Sequence, residues 1–430
     1  RGGSDRLVNG AMAVASTPLP TAQDVLDAAR NISGGVVRTP CLRSVALSQM
    51  LGAEVWCKFD LMQATGSFKE RGARHALLSL GSGQRERGVI SASAGNHALA
   101  LAFHGKALGV PVTVVMPRFA PLVKQVRCRQ YGARVLLHGD HIADAREHAD
   151  SVAAADGLAY INGFNDPAII AGAGTCALEA IEQVDDLDAI VTPVGGGGLV
   201  AGIVLAAAAV RPTLRIIGVE SARCASMTAA LREGKPVRIA AEPSLADGLG
   251  VPEVGAAALE IIQGRIESVC TVGEDSITRA ILRLLESERV VAEGAAATTV
   301  AAMLEGQLET LRGRRVCLML CGGNIDPTVL ARVIEHGLAL DGRIIQFLAV
   351  IRDRPGGLAE LASAIASTGA SVKQVSHERA FGEDDVSRVQ VLCQIEVRGP
   401  DHTEEVFAAL RGRGIDVLAR GSLRQIANLE

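Results

Sequence analysis

Thr65-Gly66-Ser67-Phe68-Lys69-Glu70-Arg71-Gly72-Ala73 is the stretch on which the reading of the chain turns. The run before it, Glu54-Val55-Trp56-Cys57-Lys58-Phe59, is apolar and β-prone; the run after it, Arg74-His75-Ala76-Leu77-Leu78-Ser79-Leu80, favours helix. Lys69 therefore falls at the start of a helix that follows a strand. Helix N-termini carry partial positive charge and favour acidic residues. Three readings of Lys69 are open: an ordinary solvated cation, a phosphate-binding cation, or a nucleophile whose surroundings favour the neutral amine.

Outward from this stretch the strand-then-helix rhythm repeats. Strands are predicted over 89–91, 112–116, 134–137, 159–162, 189–194, 215–219, 268–272 and 316–320. Helices are predicted over 98–108, 121–130, 141–154, 167–182 and 199–209. Upstream, Thr21 caps a helix to about Asn31, residues 36–40 are extended, and a helix covers 44–51. Such alternation predicts an α/β fold with parallel sheets covered by helices on both faces. Ligands of such sheets collect at the carboxyl ends of strands. Lys69, Ser93–His97, Gly195–Gly198 and Cys321–Asn324 all follow predicted strands, so they are candidates for one cleft.

The rhythm changes near Asp341-Gly342-Arg343. Strands over 344–352, 371–378, 386–397 and 415–419 enclose helices over 358–367 and 402–411. That β-α-β-β-α-β order is ferredoxin-like and predicts a separate domain. Residues 1–18 lack periodicity and read as a disordered tail; Arg1-Gly2-Gly3-Ser4 reads as an expression remnant, with Met12 as the native start.

Composition agrees with this plan. A chain of 430 residues should hold two or three domains. Hydrophobic residues make up 48% but aromatics only 3%, which suits close helix-on-sheet packing. A net charge of −4 argues against a nucleic-acid surface. Leu199–Val210 is apolar but ends at Arg211-Pro212, too short to span a membrane. The nine cysteines form no C-x-x-C and fall in apolar runs, which predicts buried free thiols in a reducing, cytoplasmic compartment.

Gly195-Gly196-Gly197-Gly198 is the strongest physical signal. Four glycines let backbone N–H groups approach an anion, and a helix begins immediately after. A dinucleotide reading competes. Gly196-x-Gly198-x-x-Ala201 fits that fingerprint, and Glu220 ends the next strand, where a ribose-binding acid would sit. It implies an NAD-dependent oxidoreductase but leaves Lys69 and Ser93–His97 unexplained. Ser93-Ala94-Gly95-Asn96-His97 suits an oxygen ligand or is a plain N-cap, and His97 is a general base or a packing histidine. Cys321-Gly322-Gly323-Asn324 is a tight turn or offers one hydrogen bond to a ligand.

Taken together, Ser67–Ala73, Ser93–His97, Gly195–Leu199 and Cys321–Asn324 resemble the pyridoxal-phosphate (PLP) enzymes of the tryptophan-synthase-β fold, and within them the threonine/serine dehydratases. Order and spacing match over about 20–340. Ala171-Gly-Ala-Gly-Thr175 resembles the family's A-G-Q-G-T, with Ala173 in place of Gln. The tail resembles a single ACT-type regulatory domain, with Arg352-Asp353-Arg354-Pro355-Gly356 as its first turn. The resemblance implies a catalytic domain over 19–342, with a smaller subdomain of about 58–160 inserted in the larger one, and an ACT-like domain over 343–430.

It also implies roles. Lys69 would hold PLP as a Schiff base and later take the α-proton. Gly195, Gly196, Gly197, Gly198 and Leu199 would bind the phosphate. Asn96 would bond the ring hydroxyl, Phe68 would pack near the ring, and Cys321 would meet the pyridine nitrogen. Ser93, Ala94, Gly95, Asn96 and His97 would hold the substrate carboxylate, with Ser93 and Asn96 counted among the catalytic residues, and Glu293 would lie near the substrate side chain. The implied reaction converts threonine to 2-oxobutanoate and ammonia, and serine to pyruvate. Dehydration of another hydroxy-amino acid, such as 3-hydroxyaspartate, and a non-catalytic amino-acid sensor are the alternatives. An amino-acid effector at the ACT-like domain and a homodimer or homotetramer are further implications. Two departures matter. Relatives that racemise serine carry serine at the place of Ala94. In relatives with a divalent metal, an acid stands six positions after the Glu220 equivalent, where this chain has Ser226; a divalent or monovalent cation, with Glu220 as a ligand, stays open.

Overall fold

The strands segregate into three sheets. The computed structural model describes residues 18–378 and 387–420. Its strands are β1 (Cys41–Arg43), β2 (Glu54–Lys58), β3 (Val89–Ala92), β4 (Val112–Met116), β5 (Arg134–Leu137), β6 (Ala159–Tyr160) and β7 (Ala189–Pro193). They continue with β8 (Arg215–Ser221), β9 (Ser268–Val272), β10 (Arg315–Met319), β11 (Ile344–Arg352), β12 (Ser371–Glu378), β13 (Arg388–Glu396) and β14 (Asp416–Arg420).

The largest sheet runs β1-β2-β10-β7-β8-β9 and is parallel except for β1, whose Cys41 faces Lys58 across an antiparallel pair. A second parallel sheet runs β5-β4-β3-β6. All of β7 and all of β4 are buried, as strands covered on both faces must be. The third sheet is antiparallel, in the order β12-β13-β11-β14. Renumbered from its own first strand, that order is 2-3-1-4, the ferredoxin-like arrangement expected for the tail. The tail of residues 1–18 lies outside the described residues except for Pro18. Among the described residues no helix is long and apolar enough to cross a membrane.

Local chemistry explains the helix starts. Thr21 and Asp24 form a capping box, each side chain accepting from the other's backbone N–H (3.3 and 2.7 Å). Asp166 caps the helix Pro167–Gln183, with proline in its first turn. Some bounds differ from expectation. The helix after Ser93 begins at Asn96, two residues early, and β6 is two residues shorter than predicted. The helix Gly294–Leu304 has no sequence signal because it is buried on almost every side and carries no polar stripe. The helix Pro327–Leu340 had a readable start, since Asp326 caps it immediately before proline.

Helices pack closely over the large sheet because glycines face each other. A Cβ at Gly172 would stand 2.7 Å from the Gly72 Cα, and one at Gly174 would stand 2.4 Å from the Gly202 carbonyl oxygen. The helix Lys69–Leu78 thus lies against Pro167–Gln183, which lies against Gly198–Val210. A neutral set of four buried or largely buried charges joins these parts. Arg71 donates from Nε to Asp60 (2.7 Å) and from Nη1 to Glu179 (2.6 Å), and Lys58 Nζ donates to Glu179 (2.6 Å) and to the Thr39 carbonyl (2.6 Å). Burial pushes the Asp60 carboxyl up, but Arg71 beside it more than offsets this and the net shift is down. Arg71→Ala should therefore cost about 3–5 kcal/mol, because Asp60 is left charged and buried. Thermal or urea unfolding of the variant checks this, and a wild-type transition would refute it.

Candidate active site

Lys69 is the first residue of its helix, and no side chain caps that start. The residue is half-buried, with its amine end enclosed by protein. Nζ donates to the Gly163 carbonyl oxygen at 2.6 Å and lies 5.1 Å from the Phe68 ring centre. Burial lowers its pKa to about 8, against the opposing pull of Cys321 and Glu293. The solvated-cation reading fails on this geometry. Phe68 N–H donates to the Cys321 carbonyl (2.9 Å), and Ser67 pairs with Gly322, so the lysine motif and the cysteine motif are knitted together.

The carbonyl that holds Lys69 belongs to a loop that also shapes the glycine turn. A Cβ at Gly196 would stand 2.3 Å from the Phe164 ring, and one at Gly198 would stand 2.6 Å from the Phe164 carbonyl oxygen. Gly197 has φ +93°, which side-chain-bearing residues rarely adopt. Among the described residues the N–H groups of Gly195, Gly196 and Gly197 have no protein acceptor. The helix Gly198–Val210 adds its uncapped N-terminus, with no acid in its first turn. Backbone N–H groups presented in this way at a helix N-terminus can receive an anion. Leu199 is buried behind the turn.

The turn Ser93–His97 follows β3. Ser93 Oγ accepts from Gly95 N–H (3.3 Å), and the helix start at Asn96 has no side-chain cap. The plain N-cap reading therefore fails. Ser93, Ala94, Gly95 and Asn96 are half-exposed, whereas His97 is buried. The His97 ring sits by the Ile161 carbonyl (3.3 Å), and burial, aided by Lys69, lowers its pKa to about 3. It is a neutral packing histidine, not a base. Asn96 Nδ2 donates to both oxygens of Glu293 (2.9 and 3.1 Å). Burial raises the Glu293 pKa to about 6, with the Asn96 bond opposing.

Cys321 ends the set. Burial holds its thiol neutral, well above the usual thiol range, with Glu293 adding to the effect. Glu220 is elsewhere engaged. Its carboxylate accepts from Met227 N–H (2.6 Å), Thr228 N–H (2.9 Å) and Thr228 Oγ1 (2.7 Å), capping the helix Ser226–Glu233. An acid so occupied is not poised for a ribose, which removes the dinucleotide reading. Among the described residues no group of three or more His, Cys, Asp or Glu could hold a metal ion. All nine cysteines are free thiols, and all but Cys270 are buried.

A family model described as "Pyridoxal-phosphate dependent enzyme" matches residues 32–322. The chain belongs to that family. Over 397 residues it is 39% identical to an L-threonine ammonia-lyase of Thermotoga maritima, covering 92% of this chain and 98% of the relative. Over 317 residues it is 36% identical to a catabolic L-threonine dehydratase of Escherichia coli K12, covering 73% and 96%. Among solved structures, the processed threonine deaminase isoform 2 of Solanum lycopersicum superposes with a TM-score of 0.69 at 33% identity, over 73% of this chain and 91% of that one. A serine racemase from Dictyostelium discoideum gives 0.68 at 32%, over 71% and 99%.

PLP fits the residues present. The glycine turn offers N–H groups without acceptors, Lys69 offers an amine that loses its proton near neutral pH, and Cys321 offers a neutral contact. Sequence reasoning missed the Gly163 carbonyl beneath Lys69 and the bond from Arg127 to Asn324, two residues 197 positions apart that no local pattern connects. Gly196→Val tests the cradle. A side chain forced against Phe164 should weaken PLP binding about tenfold or more. Titrating apoenzyme with PLP by visible absorbance measures it; unchanged affinity would refute the assignment.

Proposed function

We propose that the chain is a PLP-dependent threonine ammonia-lyase. L-Threonine loses water and then ammonia, and the water returned on hydrolysis leaves 2-oxobutanoate and ammonia as products. L-Serine gives pyruvate in the same way. The observation that carries this reading is the enclosed Lys69 amine, with a pKa of about 8, joined through the 163–164 loop to the glycine cradle.

When bound, PLP withdraws electrons from the Cα of the amino acid attached to it and so acidifies the Cα–H. Lys69 would hold the cofactor and, once displaced by substrate, takes that proton; burial keeps its amine unprotonated often enough to do so. The uncapped start of the helix at Asn96, with Ser93 to His97, receives the substrate carboxylate. Ionised Glu293 accepts from Asn96 and from the β-hydroxyl, orienting the group that leaves. A second carboxylate on the substrate, as in 3-hydroxyaspartate, would meet Glu293 as a like charge, which favours threonine and serine. Ala94 offers no proton acceptor, so the reading is elimination rather than racemisation.

The proposal extends to domains and assembly. Residues 19–342 are the catalytic domain, and the ferredoxin-like unit over 343–430 is an ACT-like regulatory domain that binds an amino-acid effector in a cytoplasmic homodimer or homotetramer. The strand order supports the ferredoxin-like unit, and the ion pair Lys373–Glu335 (3.2 Å) ties that unit to the helix Pro327–Leu340.

Two outcomes are expected. Lys69→Ala should form no 2-oxobutanoate from threonine and lose the visible absorbance of the bound cofactor; a turning-over Lys69→Ala enzyme would sink the reading. The ionised form of Glu293 is the acceptor, so wild-type kcat/KM for threonine should fall as pH drops through about 6. Glu293→Gln should lack that acid limb and leave a flat profile there.

A further inference from the structure

Four side chains form one line of hydrogen bonds through the cleft. Arg127 Nη1 donates to Asn324 Oδ1 at 3.2 Å. Asn324 Nδ2 donates to the Thr65 carbonyl at 2.7 Å and to Asn96 Oδ1 at 2.9 Å. Asn96 Nδ2 then donates to Glu293. Arg127, Asn324 and Glu293 all line one cleft of ≈ 1060 Å³.

The direction of this line is fixed by chemistry. An amide can turn over and exchange its oxygen with its nitrogen, and only its partners decide which way it lies. A carbonyl oxygen can only accept, and a guanidinium can only donate. Thr65 and Arg127 therefore leave the Asn324 amide one orientation. Asn324 then has an N–H for Asn96, and Asn96 must turn its oxygen to Asn324 and its NH2 to Glu293. Two glycines make the room. A Cβ at Gly66 would stand 2.8 Å from Asn324 Oδ1, and one at Gly322 would stand 2.1 Å from Glu293 Oε1.

We infer that Asn324, backed by Arg127, is a positioning residue that locks the Asn96 amide with its NH2 turned into the site. The lock matters when Glu293 takes up a proton. An ionised carboxylate only accepts and would hold Asn96 in the right sense by itself. A protonated one can also donate, and without Asn324 the Asn96 amide could turn over to receive it. Because Glu293 protonates at about 6, both forms are met near neutral pH. Asp247 raises that pKa, while Lys124 and the Asn324 backbone N–H lower it; Lys69 and Cys321 also interact with Glu293. The inference rests on the proposed site only for the use made of Asn96; the orientation is a property of the protein alone.

The test reads the Glu293 carboxyl band of the apoenzyme by infrared difference spectroscopy against pH, with the band assigned by its loss in Glu293→Gln. Asn324→Ala should move the inflection up by about half a pH unit or more, because the freed Asn96 amide can turn over and accept from the protonated carboxyl, which stabilises that form. Asn96→Ala should move it likewise, and the double variant no further than Asn96→Ala alone. In the holoenzyme, Asn324→Ala should lower kcat/KM about tenfold. Arg127→Met should lower it about two- to threefold, since Thr65 still orients Asn324, and Arg127→Lys, also a donor only, should restore it. If Asn324→Ala does not fold, Asn324→Asp keeps the shape. Its added charge acts on Glu293 in the Asn96→Ala background as well and so cancels from the comparison. An unshifted Glu293 titration, or single shifts that add in the double variant, overturns the inference. The apoenzyme readout stands apart from turnover, so failure of the lock and failure of the threonine reading are distinguishable.

Discussion

Burial of the Lys69 amine next to the Gly163 carbonyl is the constraint around which the catalytic part is built. A fully charged ammonium is costly in that setting, and the residue sits at the positive end of a helix, so its pKa falls and the neutral form becomes more accessible. Holding the amine there requires a helix start that does not move. Arg71, two residues on, supplies it through bonds to Asp60 and Glu179, which belong to the segment after β2 and to the helix Pro167–Gln183. The charges of Arg71, Lys58, Asp60 and Glu179 sum to zero, which makes their burial tolerable only while all four are present.

The same economy of space recurs at the ligand side. Phe164 occupies the room that side chains at positions 196 and 198 would need, and its neighbour Gly163 receives Lys69. The anion cradle and the reactive amine are thus set by one loop. On the other side, Gly322 makes room for Glu293 and Gly66 for Asn324, so these polar groups of the cleft are seated by backbone gaps rather than by large side chains.

The antiparallel unit that starts at Ile344 has a core of its own, built on Phe347, Phe407 and the inward faces of its strands. It meets the rest of the chain through side chains around the junction: Arg283 with Asp341 (2.6 Å), Arg343 with Glu286, and Lys373 with Glu335. An alignment of 397 residues with the Thermotoga maritima ammonia-lyase necessarily reaches into this unit, whereas the Escherichia coli dehydratase covers 73% of the chain.

The sequence by itself determined the α/β class, most of the strands, the strand ends on which the motifs sit, and the amine, glycine turn and thiol that are candidates for the site. Those signals are local: a run of β-branched residues, a cluster of glycines, a lysine after a strand. It also carried the ferredoxin-like order of the tail, because each of its helices keeps a polar face. Tertiary structure alone decided which ambiguous residues act. It turned His97 inward as a neutral packing group, spent Glu220 on a helix N-terminus, and joined Asn96 to Glu293 and Asn324 across spans of 197 and 228 positions. The helix Gly294–Leu304 stayed invisible for the same reason. Burial on all sides erases the periodicity that betrays a helix, and hydrogen-bond partners brought from distant strand ends leave no trace in the spacing of residues.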